Sequence, residues 1–323
     1  MMGALTPMSL QTTFPPSAAA GLVERLSANI KAAVVVEDEK LRLILAALMS
    51  GGHLLLEDVP GIGKTLVAKA LAKSLAAVFK RVQCTPDLLP SDVTGSNLYD
   101  QHKQDFVFMP GPLFAHVVLV DEINRATPRT QSSLLEALAE GQITCDGVTR
   151  KLAQPFFVIA TQNPVETVGT FPLPEAQLDR FLISLNLGYP GFEAEVTILE
   201  REEHAAPLEG MRPVLSLDDI INLQQATMQV DVARPIKEYI IRLIMATRQH
   251  PEVILGVSPR GGVAVQRAAQ AMALLRGRDF VTPDDVKTVA PPVMAHRLLS
   301  RKRGLENGRK AVRAVLDEVE VPV

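Results

Sequence analysis

Two short strings in this 323-residue chain bring together residue types that handle phosphate. The first is EDVPGIGKT, residues 57–65, where glycines, a lysine and a threonine run directly into a helical pattern. Gly61 and Gly63 let main-chain N–H groups approach phosphate oxygens, and the helix start adds a favourable dipole. Lys64 is expected on the outer phosphates of a bound ATP and the Thr65 hydroxyl on Mg2+, with Pro60, Ile62 and Leu66 completing the binding loop. Asp58 stands where the GxxxxGK[ST] pattern has its first glycine, a position that mainly shapes the turn. The second string is HVVLVDE, residues 116–122, an apolar run ending in two acids. It puts Asp121 at the carboxyl edge of a sheet, able to hold Mg2+ directly or through water. Glu122 then orients and deprotonates an attacking water. The plainer alternatives are a glycine turn that only caps a helix and acids that only end a strand in solvent.

Such residues need a parallel sheet to carry them, and the surrounding pattern supplies one. Five apolar runs, HLLL (53–56), RVQC (81–84), HVVLV (116–120), FFVIA (156–160) and FLISLNL (181–187), alternate with helical patterns. Val67, Ala68, Leu71 and Leu75 form one helical face, and Leu134, Leu135 and Leu138 another. The second of these helices has Thr127 as cap, Pro128 in its first turn and Gly141 past its end. The expected fold is α/β, a doubly wound parallel five-stranded sheet. Residues 95–113 and 141–157 interrupt it as inserted hairpins, the latter with Asp146-Gly147 as its turn. Beyond Pro207 the strand signals fade. Helix starts take over at Ser216 with Asp219, Ser258 with Pro259 and Thr282 with Pro283, predicting a second, all-helical unit. The expected division is a flexible tail over 1–20, an α/β domain over 21–205 and a helical domain over 206–323. His53 is expected to pack or cap at a strand start.

Composition narrows the function classes. There are 33 basic against 36 acidic residues, a net charge of −3, which argues against a dedicated polyanion binder. Eleven Phe, three Tyr and no Trp are a thin supply for stacking on single strands, so a nucleic-acid partner is not expected. The charge is divided unevenly: residues 1–205 carry 16 basic and 23 acidic side chains, residues 206–323 carry 17 and 13. Cys84 and Cys145 make no disulfide framework or CxxC site. The uncharged start lacks a basic opening and is broken by Pro7, Pro15 and Pro16, and no uncharged run is long enough to span a bilayer. A soluble, cytoplasmic protein is the expectation.

Longer strings carry a resemblance. GGHLLLEDVPGIGKT (51–65), CTPDLLPSDVTG (84–95), VDEINRATPRTQSSLLEALAEGQIT (120–144) and FFVIATQNPVETVGTFPLPEAQLDRF (156–181), continued by SPRG (258–261) and VTPDDVK (281–287), resemble MoxR-type AAA+ ATPases. The resemblance implies a P-loop AAA+ domain followed by an all-α lid, and a ring oligomer, a hexamer, that hydrolyses Mg-ATP between subunits. It also implies client proteins that are remodelled, matured or activated, with von Willebrand factor A domain proteins as partners. Val36 stands where relatives often have glycine near the adenine.

The resemblance further implies three site residues. Asn163 would be a sensor of the γ-phosphate or the lytic water; the alternative is a cap of the turn before Pro164. Arg180 would be an arginine finger acting on a neighbour's nucleotide; the alternative is an internal ion pair with Asp179 or Glu175. Arg260 would reach the γ-phosphate from the lid; the alternative is a plain surface arginine. Gly261 and Gly262 after it weaken the helix and point to a close backbone approach. Arg125 faces either a subunit boundary or a salt bridge. By the same resemblance the two hairpins project toward a central channel, where Phe106 and Phe108 either grip a client or pack in the core. Two other functions stay open: a nucleotide-gated binding module with little turnover, and a DNA-acting motor or loader.

Overall fold

The computed structural model describes residues 14–59, 61–163, 169–204, 208–302 and 304–322. Helices α1 (Pro16–Ala33) and α2 (Asp38–Met49) precede the first strand, β1 (Leu54–Glu57); α3 (Lys64–Ser74), β2 (Phe79–Gln83) and a short α4 (Pro90–Thr94) follow. Next come the hairpin strands β3 (Gly95–Asp100) and β4 (Asp105–Pro110), then β5 (Val117–Asp121) and α5 (Pro128–Glu140). A second hairpin of β6 (Gln142–Cys145) and β7 (Val148–Lys151) leads to β8 (Phe157–Gln162), the short α6 (Glu175–Leu178) and β9 (Ile183–Leu185). The remainder is α7 (Phe192–His204), α8 (Leu217–Gln229), α9 (Arg234–Gln249), α10 (Pro259–Leu275), α11 (Pro283–Met294) and α12 (Leu305–Glu318). Between these helices β10 (Val253–Leu255) pairs antiparallel with β11 (Leu299–Ser300), so the second unit is helical with one small ribbon.

All five apolar runs become strands of one parallel sheet, in the order β2-β5-β8-β1-β9. Alternation along each strand sends side chains to two different cores. Leu54, Leu56, Leu119, Phe157 and Ile159 join α1–α3 and the C-terminal helices, while Leu55, Val118, Val120, Val158 and Ala160 join α5. The first core has no seam between the two expected units: α2 packs on α8 and α10 as one continuous apolar interior. The tail also ends earlier than expected, because α1 begins at Pro16 and buries Ala19. Residues 1–13 of that tail lie outside the described residues. No helix among the described residues is long and apolar enough to cross a membrane.

The expected caps are in place. Thr127 accepts from the Thr130 N–H, Gly141 closes α5 in the left-handed region, and Ser216–Asp219 and Thr282–Asp285 form reciprocal capping boxes. Both hairpins form, the second turning on Asp146 and Gly147 at φ 50° and 76°. Asn97 Nδ2 donates to Asp146 Oδ2 at 2.6 Å, and the Arg150 guanidinium lies 3.8 Å from the Phe108 ring centre, so the hairpins lean on each other. Phe106 and Phe108 part company: Phe108 packs edge-on against Phe114, whereas Phe106 is 66% exposed and meets only Tyr99 edge-on among the described ring pairs.

Candidate functional site

The phosphate loop grows out of β1, whose carboxyl end lies between β8 and β9. Gly61 and Gly63 sit at φ 90° and 85°, backbone that side-chain-bearing residues rarely adopt, and a Cβ on either would meet nothing within 4 Å. That open face beside the start of α3 is what a chain of phosphates requires. Lys64 Nζ donates to the main-chain oxygen of Asp58 at 2.9 Å, closing the loop across its mouth. Partial burial draws the Lys64 pKa below its ordinary range, opposed by the charges of Asp58, Asp121 and Glu122. Ile62, Thr65 and Leu66 are half-buried along the loop and first helical turn, and Pro60 lies outside the described residues.

Asp58 has a role that the missing first glycine did not suggest. Its carboxylate is buried and accepts the N–H groups of Leu187, at 2.6 Å, and Gly188, at 3.1 Å. The loop is thus tied to the chain leaving β9. Burial raises the Asp58 pKa, and those two N–H groups with Lys64 pull against it.

The acid pair lies at the end of β5, two strands from β1. Asp121 is buried, accepts the Thr161 hydroxyl at 3.3 Å on Oδ1, and takes the Arg81 Nε–H at 2.6 Å on Oδ2. Glu122 sits in the left-handed region at φ 55°, held there by a bond from its N–H to Thr161 Oγ1 at 2.9 Å. A non-glycine residue in that region carries strain of about 1 kcal/mol or more. Gln83 Nε2 and Arg125 Nη1 both donate to Glu122 Oε2, at 3.0 and 3.1 Å, so Arg125 has a salt bridge within the chain. Asn163 follows β8, the strand between β5 and β1, and is half-exposed at the same edge. The turn at Pro164 lies outside the described residues.

Magnesium fits this donor set. It needs few protein ligands, all hard oxygens, and keeps waters and phosphates for the rest. A hydroxyl at Thr65 and a carboxylate at Asp121 meet that need, and no cluster of three or more His, Cys, Asp or Glu suited to another metal occurs among the described residues.

The arginines lie elsewhere. Arg180 stands between α6 and β9, where the Leu182 N–H donates to the His53 oxygen just before β1. This is the amino edge of the sheet, the full length of the strands away from the phosphate loop. Arg180 is exposed and donates from Nη1 to Leu135 O at 2.6 Å, while Asp179, the internal partner considered for it, pairs with Arg297 at 2.7 Å instead. Arg260, exposed in the first turn of α10, belongs to the same edge. Ser258 and Pro259 line a cleft with Glu175, Ala176 and Asp179 of the α6 segment, and a Cβ on Gly261 would lie 3.3 Å from Arg297 Cδ. The residues just before Arg260 thus lie beside the segment that leads into Arg180, and α10 packs on α2. Gly261 and Gly262 do serve a close approach, because a Cβ would run into the Val257 side chain or lie 2.6 Å from Ile244.

His53 is a buried structural histidine, with Nε2 3.0 Å from Leu138 O and Nδ1 accepting the Val158 N–H at 3.2 Å. Burial lowers its pKa to about 4, against the Leu138 bond. Sequence reasoning missed Arg81, Gln83, Thr161 and Arg297, and considered Asp179 only as a partner of Arg180. The first two had a signal, polar residues two apart at the end of an apolar strand. Arg297 had another, an arginine inside the apolar run VMAHRLL.

Residues 53–183 match the ATPase family associated with various cellular activities (AAA), and residues 245–319 match the AAA lid domain. The chain is 53% identical to the uncharacterised protein YeaC of Bacillus subtilis, over 87% of its own length and 89% of that protein's. It is 40% identical to the chaperone MoxR1 of Mycobacterium tuberculosis, over 88% and 79% of the two chains. A crystal structure from Cytophaga hutchinsonii superimposes with a TM-score of 0.88 at 35% identity, covering 96% of this chain and 97% of that one.

Proposed function

Since this chain belongs to the ATPase family associated with various cellular activities, and within it to the MoxR type, we propose that it hydrolyses Mg-ATP at the interfaces of a hexameric ring and uses the cycle to remodel or mature client proteins. The phosphates rest on the N–H groups of Gly61 to Thr65, with Lys64 released from Asp58 onto the β- and γ-oxygens. Thr65 and Asp121 would hold the magnesium ion, which would supply positive charge against the phosphates. Glu122 takes the proton of the attacking water, and Asn163 orients that water or the γ-phosphate. Arg180 and Arg260 of the adjoining subunit complete the site by neutralising charge on the transferred phosphoryl group.

The observation that carries this reading is the separation within one chain. Arginines offered at one edge of the sheet and a phosphate loop at the other suit a head-to-tail ring closed by rotation. An exposed Phe106 at the tip of the first hairpin supports a surface that touches clients, and the chaperone name of the Mycobacterium relative supports a protein client. A von Willebrand factor A domain partner belongs to the same reading.

Mixing tests it. Arg180→Ala should lower turnover by about 10³-fold or more, and Lys64→Ala should abolish it in its own subunits. Combined in one assembly the two regain activity, because some interfaces then pair an intact loop with an intact arginine. No recovery in mixed rings that demonstrably form would overturn the trans-acting arginine.

A further inference from the structure

The most completely bonded polar side chain near the amino edge is Arg297, in the 3-10 turn Ala295–Arg297 that follows α11. Its residue is 9% exposed, and all five of its N–H groups have acceptors. Nε donates to Asp179 Oδ1 at 2.7 Å. Nη2 donates to the main-chain oxygens of Asp179, at 3.2 Å, and Phe181, at 2.6 Å. Nη1 donates to Leu182 O at 3.0 Å and back to Val293 O at the end of α11. Four of the five bonds therefore fall on residues 179, 181 and 182, the two flanks of Arg180. His296 adds a contact of Nε2 with Phe181 O at 3.0 Å. On its other side the Arg297 stem lies under the first turn of α10, against Gly261, the residue after Arg260.

We infer that Arg297 is a positioning residue that locks Arg180 and Arg260 into one rigid unit, so that the two arginines offered to the neighbouring subunit move together with the lid. The inference rests on the trans-acting reading of Arg180 given above. Burying a guanidinium is costly unless every donor is met, and an apolar plug would stabilise the same junction at less cost. What the planar fork adds is direction: it sets the plane of the strip from Asp179 to Leu182 and leaves the side chain between them pointing outward. Any tilt of the lid that carries Arg260 must then carry Arg180 as well. Loss of the γ-phosphate at one site would release both arginines at once and transmit a single displacement into the subunit that owns them. A lysine, with a compact charge and three donors, cannot hold four bonds in that plane.

The test uses the full chain as its assembled oligomer, with Arg297→Lys and, touching the same lock from the other side, Asp179→Asn. Arg297→Lys should lower kcat by 10-fold or more, while the affinity for ATP, read by a fluorescent analogue, changes less than 2-fold. Added Glu122→Gln subunits, which lack turnover but carry intact arginines, should raise its activity several-fold, as they do for Arg180→Ala. The double variant Arg180→Ala/Arg297→Lys should be no slower than Arg180→Ala alone. Rescue of Arg180→Ala without rescue of Arg297→Lys would assign Arg297 to stability only and overturn the inference. An Arg180→Ala variant with full turnover would instead remove the trans-acting reading beneath it. If Arg297→Lys does not fold, Asp179→Asn carries the same comparison, with rescue expected and its absence counting against the lock.

Discussion

At the carboxyl edge of the sheet the candidate site is open: Gly61 and Gly63 border empty space, and apart from the buried Thr161 the side chains that hold Asp121 and Glu122, namely Arg81, Gln83 and Arg125, are at least partly open to solvent. At the amino edge Arg180 and Arg260 are also exposed, but the layer beneath them is closed. Arg297, His296 and His53 are buried there with most of their bonds directed at main-chain groups. The difference fits a division of labour. A site that must admit water and release product needs partners that let go, whereas a group presented to another molecule needs a stiff mount.

The largest effect should come from the open edge. Glu122→Gln keeps the shape and the Gln83 contact but removes the proposed base, so turnover should fall by about 10²- to 10⁴-fold while ATP binding persists. Steady-state phosphate release and equilibrium nucleotide binding measure the two halves. Turnover within a few-fold of the parent would remove Glu122 from the chemistry. It would leave the carboxyl edge as a binding surface only, in favour of a nucleotide-gated module.

A second effect separates the edges by acid. His53 in the fold has a pKa of about 4 against an unfolded value near 6.5, so between those values the unfolded chain binds a proton that the folded chain refuses. Its contribution is fully present above pH 6.5 and is lost as pH falls toward 4, at about 1.4 kcal/mol per pH unit and about 3 kcal/mol in all. His296, whose pKa burial and Arg297 hold well below the ordinary value, steepens the same limb. Urea unfolding between pH 7.5 and 5 should show this slope, and His53→Gln should reduce it by about one proton. An unchanged slope would mean that the amino edge is less closed than the comparison holds.

What was legible in the sequence follows the range of the interactions. Strands of alternating partners, the glycine loop, the acid pair, Thr127, Gly141 and the Asp146-Gly147 turn depend on neighbours within a few residues, and the pattern carries them. Asp58 looked like a departure from a motif because its partners, Leu187 and Gly188, lie 129 and 130 residues away. Arg297 and Asp179 meet across 118 residues. The side of the sheet that Arg260 faces depends on α10 packing behind α2, which no local spacing encodes. The split between Phe106 and Phe108 has the same origin, since alternation puts both on one face but only tertiary packing brings Phe114 to one of them.

The smallest expected effect tests whether the partners at the carboxyl edge are displaceable. Arg81 donates at 2.6 Å, from a side chain that is half exposed, to the Asp121 carboxylate, the group that would hold the metal ion. An ion pair with one exposed member contributes about 1 kcal/mol or less, so it competes with the metal weakly. Arg81→Ala should therefore lower the Mg2+ concentration needed for half-maximal turnover by about 2- to 5-fold, with little change in the maximum. Phosphate release titrated with Mg2+ at saturating ATP reads this directly. A requirement that rises would reverse the sign, making Arg81 a residue that orients Asp121 for the metal. The carboxyl edge would then rest on a fixed mount as the amino edge does, and the contrast between them would narrow to the depth at which each charge is buried.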